Sequence, residues 1–273
     1  PRAHIVALGL LLCGLLPATG AEAARFAVIG DWGYGSADQR AVAERICASG
    51  SLDFVLTTGD NFYRPDGRAT SENFYGPAAC LIASGVEWRA AWGNHDAAGD
   101  DTGTVLGAPR SYAFDAGPAR VVVVDGTEPT APSQRQLVER ELGRERRFTI
   151  VVVHQPVRTA GLKRDPAVAA ALAPALDARA DGVVVLQGDN HLYERIEHGG
   201  VTYVTSGGGG APLTPCLRPV RGVKRCRPVH HFLLVEIGRD ALEIRAVDRR
   251  GVRIDRRGVL GARARAVVAR LGL

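Results

Sequence analysis

Nine apolar, β-branched runs recur along the chain, at 25–29, 53–57, 86–92, 120–124, 148–153, 183–186, 201–205, 231–237 and 241–247. Segments with helical spacing lie between several of them, at 37–48, 132–142 and 165–179. Pro132 and Ser133 mark one helix start. The first half therefore alternates strand and helix, and the last hundred residues are richer in strands. Strands this continuously apolar are buried on both faces, which predicts an α/β fold with one buried mixed sheet or two packed together. No internal repeat or long linker divides the chain. "SGGGGAP" at 206–212 is too short for a flexible linker, so one domain over 24–273 is the simplest division. The Arg-rich segment from Arg249 to Arg270 reads as surface, ending in a short helix.

Five of the runs break abruptly into polar clusters. "VIGDWG" presents Asp31, "GDNFY" presents Asp60 and Tyr63, and "GNHD" presents Asn94 and His95. "VVVHQP" presents His154, and "GDNH" presents Asp189 and His191. Each has an ordinary reading taken alone: Asp31 as a turn former, Asn94 as an Asx-turn, His154 as a satisfied core histidine. Together they have a different meaning, because ligands of α/β sheets bind beyond the carboxyl ends of the strands. Carboxylates, imidazoles, an amide oxygen and a phenol converging there suit a pair of metal ions.

The N-terminus carries Arg2 and His4, then an apolar stretch from Ile5 to Leu16, then "PATGAEA". This is the pattern of an export signal cleaved near Ala23, and the apolar stretch is too short to span a bilayer. Cys13 follows three leucines rather than a small residue, which argues against a lipid anchor. A secreted or periplasmic protein with no stable membrane anchor is expected. Four cysteines then remain, Cys47, Cys80, Cys216 and Cys226, with three possible pairings. "CLRPVRGVKRC" reads as a short loop stapled at its ends, favouring Cys216–Cys226 and, by elimination, Cys47–Cys80. A zinc site is the competing reading, but no Cys-x-x-Cys spacing supports it. The formal charge is +5, and Lys163 and Lys224 are the only lysines among 34 basic residues. No basic stretch is interleaved with aromatics, so no nucleic-acid partner is expected.

Taken in order, "GDWG", "GDNFY", "GNHD", "VVVH" and "GDNHLYER" resemble the motifs of the calcineurin-type metallophosphoesterases, especially the purple acid phosphatases. "GDWG" and "GDNFY" are closest to the tartrate-resistant branch, and "HLYER" is similar to a motif of the larger plant-type enzymes. The flanks "SYAFD", "VVVVDG", "QRQLVERELG" and "TYVTSGGGGAP" are similar to their counterparts, so the resemblance spans about 25–247. It implies a four-layer αββα sandwich of two mixed β-sheets flanked by helices. It also implies a dinuclear centre of Fe3+ with Fe2+, Zn2+ or Mn2+. Asp31, Tyr63 and His191 would bind the first metal, Asp60 would bridge, and Asn94 and His154 would bind the second. His95 would sit beside the phosphate and either stabilise charge or protonate the leaving alkoxide. The implied activity is hydrolysis of small phosphomonoesters by a metal-bound hydroxide, with a phosphodiesterase or nucleotidase, or a non-catalytic metal- or phosphate-binding protein, as alternatives.

Two departures from the family pattern stand out. Asp189 occupies the position of a histidine on the second metal. Its carboxylate could ligate in place of the imidazole, favouring harder ions such as Mn2+, or turn away and leave the site open. The stretch after His154, "QPVRTAGLKRDP", lacks a further substrate-facing histidine. Arg158 and Lys163 are candidates to replace it, although each also reads as an ordinary solvated loop charge.

Overall fold

The computed structural model of the chain describes residues 23–179, 181–217 and 219–261; the expected export signal and the expected C-terminal helix lie outside the described residues. In chain order the strands are β1 (Ala24–Ile29), β2 (Phe54–Thr57), β3 (Glu87–Ala90), β4 (Tyr112–Ala116), β5 (Ala119–Val124), β6 (Phe148–Val153) and β7 (Val183–Gln187). They continue as β8 (Tyr193–His198), β9 (Val201–Ser206), β10 (Val223–Arg227), β11 (His231–Ile237), β12 (Ala241–Asp248) and β13 (Arg253–Leu260). The helices are α1 (Ala37–Cys47), α2 (Ala79–Ser84), α3 (Asp101–Thr104), α4 (Pro132–Leu142) and α5 (Pro166–Arg179).

All nine apolar runs are strands, and they assemble into two mixed sheets. One has the order β13-β12-β11-β1-β2-β3, the other β10-β8-β9-β7-β6-β5-β4. Within the first, β1, β2 and β3 are parallel; within the second, β5, β6, β7 and β9 are parallel. The period of two explains why these strands are apolar at every residue. In β1, Phe26 and Val28 point between the sheets toward Val121, Val123, Ile150 and Val152, whereas Ala27 and Ile29 point outward onto Val42, Ala43 and Ile46 of α1. In β6, Ile150 and Val152 face inward, and Val151 and Val153 meet Val138 and Leu142 of α4 and Val168, Leu172 and Leu176 of α5. Helices thus cover the outer face of each sheet, giving the four-layer αββα sandwich. Ile150 is 1% exposed, and truncating it to alanine would cost about 2–5 kcal/mol through lost transfer energy and the cavity left behind.

The helices begin where local chemistry allows. Ser36 Oγ accepts from the Gln39 N–H at 3.0 Å and caps α1, and Asp165 Oδ1 accepts from the Val168 N–H at 2.9 Å at the head of α5. Pro132 is the first residue of α4, where its missing N–H leaves no bond unmade. Cys47–Cys80 ties the end of α1 to α2, and Cys216–Cys226 closes the loop that leads into β10. Each contributes about 3 kcal/mol by restricting the unfolded chain.

Four strands carry no continuous apolar run: β4, β8, β10 and β13. Three of them, β4, β10 and β13, are sheet edges, where charged side chains facing water break the apolar pattern and guard against further pairing. The segment read as Arg-rich surface is thus strand over Arg253–Leu260. β8 lies inside its sheet, but Arg195 is paired with Asp255 of β13 at 2.8 Å, a charge neutralised by a distant partner. Among the described residues no helix is long and apolar enough to cross a membrane.

Candidate metal centre

The carboxyl ends of β1, β2 and β3 from one sheet meet those of β6 and β7 from the other. Each strand is followed by a turn that swings a polar side chain into the common cleft. Asp31, Asp60 and Asp189 have φ of 54°, 53° and 65°, and among the described residues no other non-glycine residue has positive φ. Aspartate tolerates this left-handed conformation better than most residues, yet each still costs on the order of 1 kcal/mol. The neighbouring glycines make room for the carboxylates. A Cβ on Gly93 would lie 2.1 Å from Asp60 Oδ1, and one on Gly59, itself at φ +94°, would lie 2.7 Å from His154 Nδ1.

The side chains gather into two linked groups. In the first, the Tyr63 hydroxyl donates to Asp31 Oδ1 at 3.1 Å and lies 3.0 Å from His191 Nε2, which is 3.3 Å from Asp31 Oδ1. In the second, His154 Nε2 lies 3.2 Å from Asn94 Oδ1 and 3.8 Å from Asp189 Oδ1. Asp60 joins the two, with Oδ2 3.3 Å from His154 Nε2. Ligand atoms of Asp31, Asp60 and His154 all lie within 4.8 Å of one another, close enough to hold a metal ion. Both imidazoles are aimed from behind. His154 Nδ1 is 2.8 Å from the Thr58 carbonyl and His191 Nδ1 is 2.7 Å from the Pro212 carbonyl. A carbonyl can only accept, so each Nδ1 carries the proton and each Nε2 faces the cleft. His95 stands at the rim: its N–H donates to Asp60 Oδ1 at 3.0 Å, and its ring lies 4.3 Å from that of Tyr63.

The electrostatics of this cluster call for a cation. Asp31 and Asp60 are fully buried, and no lysine or arginine pairs with either among the described residues. Burial alone would depress His154, but Asp60, with Asp31 and Asp189, outweighs it and pushes its pKa up to about 10. Burial and the charges of Asp31 and Asp60 hold the Tyr63 phenol far above its ordinary range, so a phenolate forms only where a cation takes the proton's place. Asp60 Oδ2 is buried and accepts no well-formed hydrogen bond, an orphan that a metal ion would satisfy. Hard oxygens, imidazole nitrogens and a phenol within ligand reach make a donor set that fits metal ions.

Two residues of the site escape a reading of strand-end motifs alone. Asp96 accepts from the N–H groups of Asn61, Phe62 and Gly93 at 2.9, 3.2 and 2.8 Å, and from Asn61 Nδ2 at 2.9 Å. It locks the turn after β2 to the turn after β3. Burial and Asp60 push its pKa up to about 7 in spite of these donors. Its place in "GNHD" was the available signal. Lys163 is no free loop charge: its Nζ lies 2.7 Å from Asp189 Oδ1. Arg158 turns away, to Asp177 at 3.3 Å.

The sandwich, with a strand-end cluster of carboxylates and imidazoles that could hold a metal ion, has the architecture of the metallophosphoesterases. Residues 24–207 match the model of the calcineurin-like phosphoesterase family, and the chain belongs to that family. It is 35% identical over 108 residues to purple acid phosphatase 17 of Arabidopsis thaliana, a stretch covering 35% of this chain and 31% of that protein. Solved structures of low sequence identity share the fold. GAP50, described as the anchor in the inner membrane complex of Plasmodium, superposes with a TM-score of 0.73 at 18% identity, over 88% of this chain and 89% of that one. PhoD superposes with a TM-score of 0.61 at 14% identity, over 88% and 73%.

Proposed function

We propose that this protein is an exported, metal-dependent phosphomonoesterase of the purple acid phosphatase type, with one catalytic domain over 24–273. The observation that carries the reading is the convergence of Asp31, Asp60, Tyr63, Asn94, His154, Asp189 and His191 at one cleft with His95 beside it. Asp31, Tyr63 and His191 would hold one metal, Asn94, His154 and Asp189 the second, and Asp60 both. When bound, the metal pair would supply Lewis acidity toward the phosphoryl oxygens and lower the pKa of the attacking water. A phenol on the first metal favours Fe3+, and mixed nitrogen and oxygen donors on the second suit Fe2+, Zn2+ or Mn2+.

The remaining roles belong to the chain. The backbone carbonyls of Thr58 and Pro212 hold both imidazoles in the ligating tautomer. Asp96 keeps the turns bearing Asp60 and Asn94 in register. His95 is half-exposed at the mouth, within reach of a leaving alkoxide, and is assigned to protonate it at that oxygen. The two disulfides support export into an oxidising compartment.

Hydrolysis of a chromogenic phosphomonoester beside the matching diester, with metal analysis of the natively purified protein, tests this reading. Preferential, metal-dependent cleavage of the monoester is expected. Preference for the diester would move the assignment to a phosphodiesterase, and metal or phosphate binding without turnover would make it a binding protein.

A further inference from the structure

Strand β10 is one edge of the seven-stranded sheet, and β13 is one edge of the six-stranded sheet. In β10, Arg225 is paired opposite Arg195 and Arg227 opposite Tyr193. Residues paired across strands share a face, and Arg195 Nε and the Tyr193 hydroxyl both donate to Asp255 Oδ2 on β13 at 2.8 Å. Arg225 and Arg227 therefore look toward the other sheet, about 7 Å apart along the strand. Cys226 between them lies on the opposite face and is bonded to Cys216, which pins the strand. Arg250 and Arg253 approach from the other sheet, and with Asp248 and Val252 they help to line a groove of about 600 Å³.

The groove has more cations than partners for them. Among the described residues that line it, Asp248 is the only carboxylate. It is buried and already committed: Oδ1 accepts from the N–H groups of Arg250 and Val252 at 2.9 Å each, and Oδ2 accepts from the Arg250 guanidinium at 3.1 Å. The acidic neighbours are taken too, Asp255 by Arg195, Glu197 by Arg195 and Arg257, and Glu243 by Arg245 and Arg256. Among the described residues, Arg225, Arg227 and Arg253 form no ion pair. Arg225 instead faces a like charge in Arg195, an arrangement that costs stability. Guarding an edge strand takes a charge on each edge, but it does not require guanidiniums from two sheets to share one groove.

The lining selects the ligand. Its cations are all arginine, and a guanidinium offers parallel N–H donors that match two oxygens of one phosphate. No aromatic side chain lines it, so it lacks the stacking platforms that hold single-stranded nucleic acid. Its most exposed apolar residue is Val252, at 54%, which alone is no apolar face of the kind that seats a protein on a membrane. β11 runs antiparallel to β1, and its first residue His231 is paired with Asp248, so the groove opens at the same end of the sandwich as Asp31.

We propose that this groove binds a linear polyphosphate through Arg225, Arg227 and Arg253, outside the metal centre. It holds the chain and breaks no bond. The choice of phosphate rests on the phosphoesterase reading above, whereas the surplus of arginine does not.

The test is calorimetric titration of the purified protein with a short linear polyphosphate, with released phosphate measured in parallel. The double variant Arg225→Gln, Arg227→Gln should weaken binding at least about tenfold, the scale of one charge-assisted hydrogen bond, and flatten its salt dependence. Arg225→Lys, Arg227→Lys keeps the charge without the fork and should lose less. The control Arg135→Gln, Arg144→Gln removes the same charge beside β5, far across the seven-stranded sheet, and should bind as the wild type does. The proposal is overturned if the wild type binds no polyphosphate, or if the glutamine pair in β10 leaves binding unchanged. It is equally overturned if both glutamine pairs weaken binding alike, the mark of net charge alone. Tighter binding of heparin or of phosphatidylglycerol vesicles, lost in the same β10 variant, would overturn it by giving the groove to a sulfated chain or a membrane. Arginine-dependent polyphosphate binding in a protein that hydrolyses no ester would leave this inference standing while removing the proposed activity. Ester hydrolysis without polyphosphate binding would do the reverse.

Discussion

His154 Nε2 stands 3.3 Å from Asp60 Oδ2 across the junction of the two sheets, with both side chains fully buried. Their residues lie on turns from different sheets, so the sandwich itself holds them face to face. Burial opposes the charge on Asp60, but His154 overcomes it and holds the carboxyl well below its usual range. The imidazole thus favours the ionised form of the carboxylate.

Asp60→Asn removes that charge and one of the carboxylate oxygens by which, on the proposed reading, Asp60 would serve both metals. The variant should lose most of its bound metal and its hydrolytic activity together. Elemental analysis beside a monoester assay checks this. A variant that retained full metal content would show that Asp60 does not bridge.

His95 contacts Asp60 through its backbone N–H, and its half-buried ring packs against that of Tyr63. His95→Ala should keep the metals and lose about 10²–10⁴ in turnover, the usual contribution of a positioned acid. Loss of metal in this variant would make His95 a ligand instead of a substrate contact.

Tyr63 lies 3.1 Å from Asp31 Oδ1 and 3.0 Å from His191 Nε2, within the first group of donors. If it binds Fe3+ as phenolate, the purified protein is coloured by charge transfer. Tyr63→Phe should then keep iron but lose the visible band. An iron-loaded wild type with no visible band would falsify the assignment.

His231 supplies a pH dependence away from the metal centre. It is fully buried, its Nδ1 is bonded to the Val229 carbonyl at 2.9 Å, and its Nε2 has no hydrogen-bond partner among the described residues. Burial pushes its pKa down to about 4, against an ordinary value near 6.5. Between those values the unfolded chain binds the proton and the folded chain does not, so stability falls as pH drops through this window. The full effect is about 3 kcal/mol, complete near pH 4. Thermal unfolding followed from pH 7 to pH 4 should show a smaller loss of Tm in His231→Phe than in the wild type. Equal slopes would exclude His231 as the source.

What the sequence determined by itself was local. Alternating burial makes a strand covered on both faces a continuous apolar run, and Gly-Asp or Gly-Asn at its end makes a turn that projects a polar group. Those signals placed nine strands, three helices and the strand-end residues from Asp31 to His191, and the ten-residue spacing of Cys216 and Cys226 favoured the disulfides found. Edge strands such as β13 were hidden because water covers part of their surface, so their composition reads as loop. Only the tertiary structure decided how the strands divide between two sheets, since pairings such as Phe26 with Val235 join residues far apart in the chain. It also decided what surrounds Asp189. Its charge was legible as an added negative at the centre, but the lysine that offsets it comes from a loop 26 residues earlier. Contacts between loops leave no periodicity in a sequence, because they depend on packing across elements rather than on the spacing within one.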